Sequence, residues 1–201
     1  MNPDAQSADI RTRLIQAAVE AFCEEGYRAS CERIAARAGV AKQTLYNHFS
    51  SKDELFAAIT QLGTESINLT LDPDAGDVRE CLLRFSTLFH ERVLGEIGLA
   101  FYRTLVAERP RFPALGKAFF EGGPQTMARL LAGFLARAME RGRLRPDDPA
   151  FAAEMLLSLL GGFERTRRLL DPVPYTPAEE TARITKTVDC FLRAYAPERT
   201  A

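Results

Sequence analysis

A short polar segment between Gly39 and Ser50 carries side chains that suit contacts with the edges of DNA bases. Lys42 can donate hydrogen bonds to the acceptors of guanine, and Gln43 can bond adenine through a pair of hydrogen bonds. Apolar residues recur around them at helical spacing, which leaves the polar ones on the outer face of a short helix. The side chains predicted to lie outward or partly outward are Lys42, Gln43, Thr44, Tyr46, Asn47 and His48. An exposed helix of this kind suits the major groove.

The elements on either side of this segment predict a helix-turn-helix. Ser30 is placed to cap a short helix, which Gly39 ends before the polar helix starts at about Lys42. Ser51 and Glu54 form the pattern of a capping box and so predict the start of a further helix. Two short helices joined by a tight glycine turn are typical of DNA-reading motifs.

The rest of the chain predicts an all-α protein. Helical spacing of apolar residues recurs from end to end, whereas no alternating run long enough for a strand is present. Turn-forming residues gather between Leu71 and Gly76, which predicts a linker there. We expect about nine helices, comprising a three-helix head with the helix-turn-helix and a larger helical body.

The segment from Gly26 to Leu55, GYRASCERIAARAGVAKQTLYNHFSSKDEL, resembles the TetR family of bacterial transcriptional regulators. The match is one unbroken register rather than a lone short motif. It consists of Gly26-Tyr27, Ile34-Ala35, Ala38-Gly39-Val40, Thr44-Leu45-Tyr46, His48-Phe49 and Ser51-Lys52 through Leu55. The resemblance implies a DNA-binding domain at residues 8–55 and a helical domain for effector binding and dimerisation at residues 56–201.

The resemblance also implies a role for each DNA-contacting residue. It places Lys42 and Gln43 where the family reads bases, Tyr46, His48 and Lys52 where it holds phosphates, Thr44 where it touches both, and Ser30 where a helix cap also faces the backbone. Phosphate contacts orient a protein on the duplex, and base contacts select the sequence.

Two features of the head set it apart. Relatives commonly carry Ser or Thr at the position of Ala41, and alanine cannot accept the hydrogen bond that caps the recognition helix. Through Glu54 the chain has seven Lys or Arg residues against eight Asp or Glu residues, so the head is not basic. We therefore expect DNA affinity to depend on a few well-placed contacts and on dimerisation.

The body concentrates the aromatic residues, because nine of the thirteen phenylalanines lie between Phe85 and Phe163. Such a composition suits a deep apolar pocket for a hydrophobic effector, although the same stripes also occur in ordinary protein cores. The candidate effector-binding residues are Phe85, Phe89, Phe101, Tyr102, Leu105, Phe119, Phe120, Met127, Leu131, Phe134, Met155 and Leu159.

A helix predicted from Asp148 to about Leu170 is apolar on nearly every face, so it must be covered on several sides. We expect it to pair with the last helix in a four-helix bundle across a two-fold axis, as the resemblance implies. The candidate dimerisation residues are Leu156, Leu160, Phe163, Val188, Phe191, Leu192 and Tyr195.

Composition narrows the function further. The net charge is -1, which neither predicts nor excludes a polyanionic partner. The four cysteines lie far apart and the chain has only two histidines, so no metal site or cofactor is predicted. Phosphate-binding, nucleophile-elbow and zinc-protease motifs are missing, which argues against an enzyme. No signal peptide or membrane span is evident, and we expect a cytoplasmic location.

These observations favour a TetR-like repressor that binds a palindromic double-stranded operator as a homodimer and is released by a small hydrophobic effector. The alternatives are a helical protein-interaction module and an enzyme that converts a small molecule without binding DNA.

Overall fold

The computed structural model describes residues 3–68, 70–71, 77–170, 173 and 175–197. No strand occurs in these residues, and the predicted all-α fold is confirmed. Ten α-helices occur within the described residues: α1 (Pro3–Glu25), α2 (Cys31–Arg37), α3 (Lys42–His48), α4 (Lys52–Asn68), α5 (Val78–Val93), α6 (Glu96–Glu108), α7 (Pro113–Phe120), α8 (Thr126–Glu140), α9 (Pro149–Leu170) and α10 (Pro177–Ala194). A π-helical segment, Glu121–Gln125, joins α7 to α8 without a break, so the helices form about nine separate runs, as predicted. The predicted linker residues 72–76 lie outside the described residues.

Glycine ends the helices that shape the head. Gly26 (φ 65°) follows α1, and Gly39 (φ 67°) makes the turn between α2 and α3. Because glycine adopts positive φ without the penalty of a Cβ atom, both ends lie where the sequence predicts them. At Gly39 an added Cβ would also lie 3.0 Å from the Arg13 guanidinium.

Side chains cap the two helices that flank α3. The Ser30 hydroxyl accepts a hydrogen bond from the Arg33 amide (3.2 Å), and Ser51 accepts one from the Glu54 amide (3.1 Å). The Glu54 carboxylate reaches back to the amide of Ser50 (2.7 Å), one residue before the partner of an ordinary capping box. The start of α4 is therefore held as the sequence predicts, with the reciprocal bond displaced by one position.

The chain divides into two compact units. The first comprises Met1–Leu62 with Glu96–Gly123, and the second Gly63–Gly95 with Pro124–Ala201. Helices α6 and α7 thus pack with the head, where aromatic rings form a cluster of stacked and edge-on pairs. The rings of this cluster are Phe22, Tyr27, Phe56, Phe101, Phe112 and Phe119. The functional division at residues 55 and 56 stays a prediction, since packing units and functional domains need not share a boundary.

The second unit encloses a buried apolar core and, beside it, a group of buried charges. Glu164 in α9 accepts hydrogen bonds from Arg167 (2.6 Å) and Arg168 (2.6 Å), and only 7% of its side chain is exposed. Arg168 also bonds Glu180 of α10 (2.6 Å) and the carbonyl of Leu94 after α5 (3.0 Å). Through the Arg168 guanidinium, these bonds connect α9 to α10 and to the end of α5.

Opposing effects set the pKa of Glu164. Burial acts to raise it, and the hydrogen bonds and charges of Arg167 and Arg168 outweigh burial, so the pKa lies below its ordinary value of 4.5. A carboxyl with a lowered pKa in the folded state stabilises the fold above its unfolded pKa, and this contribution is lost as the pH falls through the folded pKa.

We expect Glu164→Gln to lower the free energy of unfolding by about 3 kcal/mol at pH 7, because two partly buried guanidinium groups lose their shared carboxylate. The difference between the wild type and the variant should shrink as the pH falls below 4.5, the ordinary value from which the pKa of Glu164 is lowered. Urea unfolding measures both effects. Glu154→Gln, an exposed change on the same helix, is the control and should lie within about 0.5 kcal/mol of the wild type. Equal stability of Glu164→Gln and the wild type at pH 7 would contradict this account.

Candidate nucleic-acid interface

Helix α3 is anchored by its apolar side and displays its polar side. Leu45 and Phe49 are buried at 0% and 1% exposure, in the same core cluster as Ile34 of α2. Lys42, Gln43 and Tyr46 are exposed on the outer side. The separation into buried and displayed residues is the one that apolar spacing predicts for a short amphipathic helix.

Lys42, the first residue of α3, forms an ion pair with Glu32 in the first turn of α2. Half of the Lys42 side chain and 60% of the Glu32 side chain remain exposed. The Lys42 ammonium also lies 5.9 Å from the centre of the Tyr46 ring. The cation nearest the start of the recognition helix is therefore held between a carboxylate and an aromatic ring.

The other polar residues of α3 have varied surroundings. The Gln43 amide donates to the Asn47 side chain (3.1 Å), one turn along the helix. Tyr46 is 40% exposed, and a hydrogen bond with Cys31 raises its pKa above the ordinary value of 10.0. Thr44 and His48 are half-buried at the edges of the displayed face.

Lys52 lies at the start of α4 with its ammonium turned toward the segment before α2. It donates to the carbonyl oxygens of Tyr27 (2.7 Å) and Ala29 (3.3 Å), and it lies 4.2 Å from the centre of the Tyr27 ring. An ammonium has three N–H donors, so one remains for a phosphate. Lys52 thus has a structural contact that sequence reasoning did not anticipate.

The cations of α2 are paired with acids of α1. Arg33 meets Glu25 (2.9 Å), and Arg37 meets Glu24 (2.7 Å). Arg28, two residues before the Ser30 cap, is exposed and has no ion pair among the residues that the structure describes. Sequence reasoning missed Arg28 as a candidate phosphate contact, although its place just before a capped helix was a usable signal.

Comparison with known proteins assigns the chain to a family. A family model described as bacterial regulatory proteins, tetR family, matches residues 14–59. A second, described as the C-terminal domain of AefR-like transcriptional repressors, matches residues 80–197, more than half of the chain. The protein belongs to the TetR family of bacterial transcriptional regulators.

Individual relatives agree with this assignment along nearly the whole chain. A TetR-family regulator from Mesorhizobium loti MAFF303099 is 28% identical with a TM-score of 0.80, covering 94% of this chain and 98% of the other. The flavonoid-responsive regulator FrrA is 34% identical with a TM-score of 0.71, at the same coverage. The regulator YvkB of Bacillus subtilis (strain 168) is 25% identical over 155 residues, which are 75% of this chain and 79% of that protein.

In this TetR-family chain most of the predicted effector-binding residues are divided between the cores of the two units. Phe101, Leu105 and Phe119 belong to the core of the first unit. Phe85, Phe89, Met127, Leu131, Phe134 and Met155 belong to the core of the second. Tyr102 is half-buried, whereas Phe120 and Leu159 are 55% and 51% exposed. An open depression of about 350 Å³ in the second unit, lined by Thr70, Leu83, Arg84, Thr87, Leu88 and Glu91, includes none of them.

Most of the predicted dimerisation residues lie inside the protomer. Between 0% and 2% of each of these residues is exposed: Leu156, Leu160, Val188, Phe191 and Tyr195. A side chain with almost no exposed surface cannot contact a partner directly. These five residues can therefore only support, from the core, the surface residues that form an interface. Phe163, 77% exposed, and the half-buried Leu192 keep surface that a partner could cover.

In the described parts of the chain, no group of three or more His, Cys, Asp and Glu residues could hold a metal ion. None of the described helices is both long and apolar enough to cross a membrane.

The effect of the missing N-terminal cap of α3 on stability can be measured. Ala41 has an extended backbone (φ -70°, ψ 151°) suited to capping, and no side-chain hydrogen bond forms there. Ala41→Thr supplies a hydroxyl to the free amides of α3 and should raise the free energy of unfolding by about 1 kcal/mol relative to Ala41→Val, which has the same shape without the hydroxyl. Thermal unfolding of the two variants measures this difference. If Thr and Val have the same effect, the end of α3 is already satisfied in another way.

Proposed function

We propose that this regulator is a repressor that binds a palindromic operator as a homodimer in the cytoplasm and releases it when a hydrophobic small molecule binds. The observation that best supports this proposal is the polar face of α3, where Lys42, Gln43 and Tyr46 lie exposed in a TetR-family head. Repression, as opposed to activation, is supported by the family model that matches residues 80–197, which describes AefR-like transcriptional repressors.

Base reading belongs to Lys42 and Gln43 in this proposal. Lys42 stands at the first position of α3, and the N-terminal residues of a recognition helix contact base edges. Gln43 exchanges its bond with Asn47 for two hydrogen bonds to adenine. Thr44, beside them and half-buried, touches a base and the backbone together.

Phosphate contacts surround this pair of readers. Tyr46 and His48 lie further along α3, and Lys52 offers its remaining N–H from the start of α4. Ser30 faces the backbone at the start of α2, and exposed Arg28 joins the set. With both arginines of α2, Arg33 and Arg37, paired to acids, few charges remain for non-specific attraction, so sequence-specific contacts dominate the affinity.

The proposed dimer face is the outer side of α9. Phe151, Leu159 and Phe163 are 60%, 51% and 77% exposed and recur at multiples of four residues, with half-buried Met155 at the position between the first two. A contiguous exposed apolar stripe marks an interaction site. Leu159 therefore moves from the effector set to this interface. Two-fold pairing places two recognition helices about one helical turn of DNA apart, which requires a palindromic operator.

A hydrophobic effector is supported by the apolar core of the second unit and by the name of one relative. The core includes Phe85, Phe89, Leu131 and Phe134. FrrA, 34% identical over 94% of this chain, is called flavonoid-responsive, which favours an aromatic molecule here. Release then follows from population shift, because an effector that prefers the conformation with poor operator affinity weakens DNA binding. Reciprocity requires the operator to weaken effector binding by the same factor.

Selection of duplexes from a random pool by the purified protein should enrich an inverted repeat. Lys42→Ala and Gln43→Ala should each weaken binding to that repeat by about 10- to 100-fold and relax its sequence preference, whereas Lys52→Ala should weaken operator and scrambled duplexes alike. Fluorescence anisotropy across a salt titration measures these effects. Lys186→Ala, which removes an exposed lysine of α10, is the control and should bind as the wild type does. Failure to enrich any sequence would contradict the regulator, and identical behaviour of the three variants would contradict the division into readers and anchors.

Phe163→Glu should convert the dimer to a monomer, because it places a charge at the most exposed residue of the apolar stripe on α9. Light scattering at micromolar concentration should then give a mass near the 22.3 kDa of one chain, against about twice that mass for the wild type. Val106→Glu, at a residue 57% exposed on α6, is the matched control and should stay dimeric. A wild-type mass of a single chain would remove this interface from the proposal.

A further inference from the structure

An acidic side chain of α2 lies beside the start of the recognition helix. Glu32, in the first turn of α2, contacts the ammonium of Lys42 at the first residue of α3. Each partner dominates the titration of the other, since their hydrogen bond raises the pKa of Lys42 and lowers that of Glu32. The pair is therefore charged on both sides at neutral pH.

The ion pair between Glu32 and Lys42 contributes little to the stability of the fold. Both side chains are at least half exposed, and exposed ion pairs contribute little to stability because solvent screens them and two long side chains must be ordered. A carboxylate near DNA also repels phosphates, so its presence opposes general affinity. The contact with Lys42 thus contributes little to folding, and its place beside the proposed base reader points to a role in DNA recognition.

The chemistry of an ammonium group accounts for such a role in DNA recognition. Its three N–H donors allow one bond to Glu32 and two to the O6 and N7 acceptors of guanine at the same time. A phosphate has no such arrangement with Glu32, because the carboxylate repels it and competes with it for the same ammonium. A guanine edge is neutral and carries no comparable repulsion.

We propose that Glu32 is a positioning residue that determines specificity, holding the Lys42 ammonium for a base edge and withholding it from phosphates on non-operator DNA. This inference rests on the proposed base-reading role of Lys42. It makes Glu32 a contributor to sequence preference that reduces affinity for every other duplex.

The test compares Glu32→Gln with the wild type on the selected operator and on a scrambled duplex. Glutamine keeps the shape of the side chain and removes the charge, which frees one cation for phosphates in each protomer. We expect scrambled affinity to rise about fivefold per protomer at about 0.15 M salt, and the slope of log affinity on log salt to steepen by about 0.9 per protomer. Operator affinity should change less than twofold, so the ratio of specific to non-specific affinity falls.

A double-mutant cycle assigns the effect to Lys42. In a Lys42→Ala background, Glu32→Gln should raise scrambled affinity by much less than in the wild-type background, because no ammonium remains to be released and only the repulsion by the carboxylate is removed. Glu140→Gln, the same charge change at the exposed end of α8, is the control for net charge and should change neither duplex. Circular dichroism shows whether each variant is folded.

Three results would overturn the inference. They are an equal gain on both duplexes, no gain on the scrambled duplex, and a gain that is as large in the Lys42→Ala background as in the wild-type background. In the last case Glu32 would act as a simple repulsive charge. If the wild type selects no operator at all, it is the proposed function that fails.

Discussion

The proposed DNA-reading face depends on the anchoring of one very short helix. Helix α3 has seven residues, and isolated helices of that length are not stable in water. It also lacks a side-chain cap at Ala41. Its conformation is therefore maintained by the burial of Leu45 and Phe49 against α1 and α2, and by the glycine turn at Gly39. Lys42 and Gln43, the proposed base readers, can keep their orientation only while that packing is intact.

The distribution of charge explains how a head that is not basic can serve a DNA-binding family. Arg33 and Arg37 are paired with acids of α1, and Lys42 is paired with Glu32. Lys52 is bound to two carbonyl oxygens. Because these cations are held close to other groups, the attraction that DNA exerts on every basic surface is reduced, and contacts with particular bases gain relative weight.

The second unit combines two features with different consequences. Inside it, Glu164 bonds Arg168 of the same helix, and Arg168 bonds Glu180 of α10, a network whose loss would leave partly buried guanidinium groups without their carboxylates. Outside it, α9 exposes Phe151 and Phe163 to solvent. One side of this helix is thus held inside the protomer, and its other side is an exposed apolar surface. This arrangement suits a helix that packs within a protomer and across a dimer.

Local patterns in the sequence determined the helices, their ends and the polar face of α3. Glycines at positions 26 and 39, the cap at Ser30 and the spacing around Leu45 act over only a few residues, so composition and period suffice to predict them. The family register Gly26 to Leu55 was visible for the same reason, and the family models confirm it.

Only the tertiary structure decided which distant residues meet. Lys52 bonds carbonyls 25 and 23 residues earlier, and Arg79 pairs with Asp189, 110 residues away. The spacing that marks a helix as apolar cannot tell which of its faces packs inside the protomer, so Leu156 and Val188 were assigned to a dimer face and lie in the core. Helices α6 and α7 joined the head for the same reason, because side-chain complementarity across the fold, and not local period, selects the partner of each apolar face.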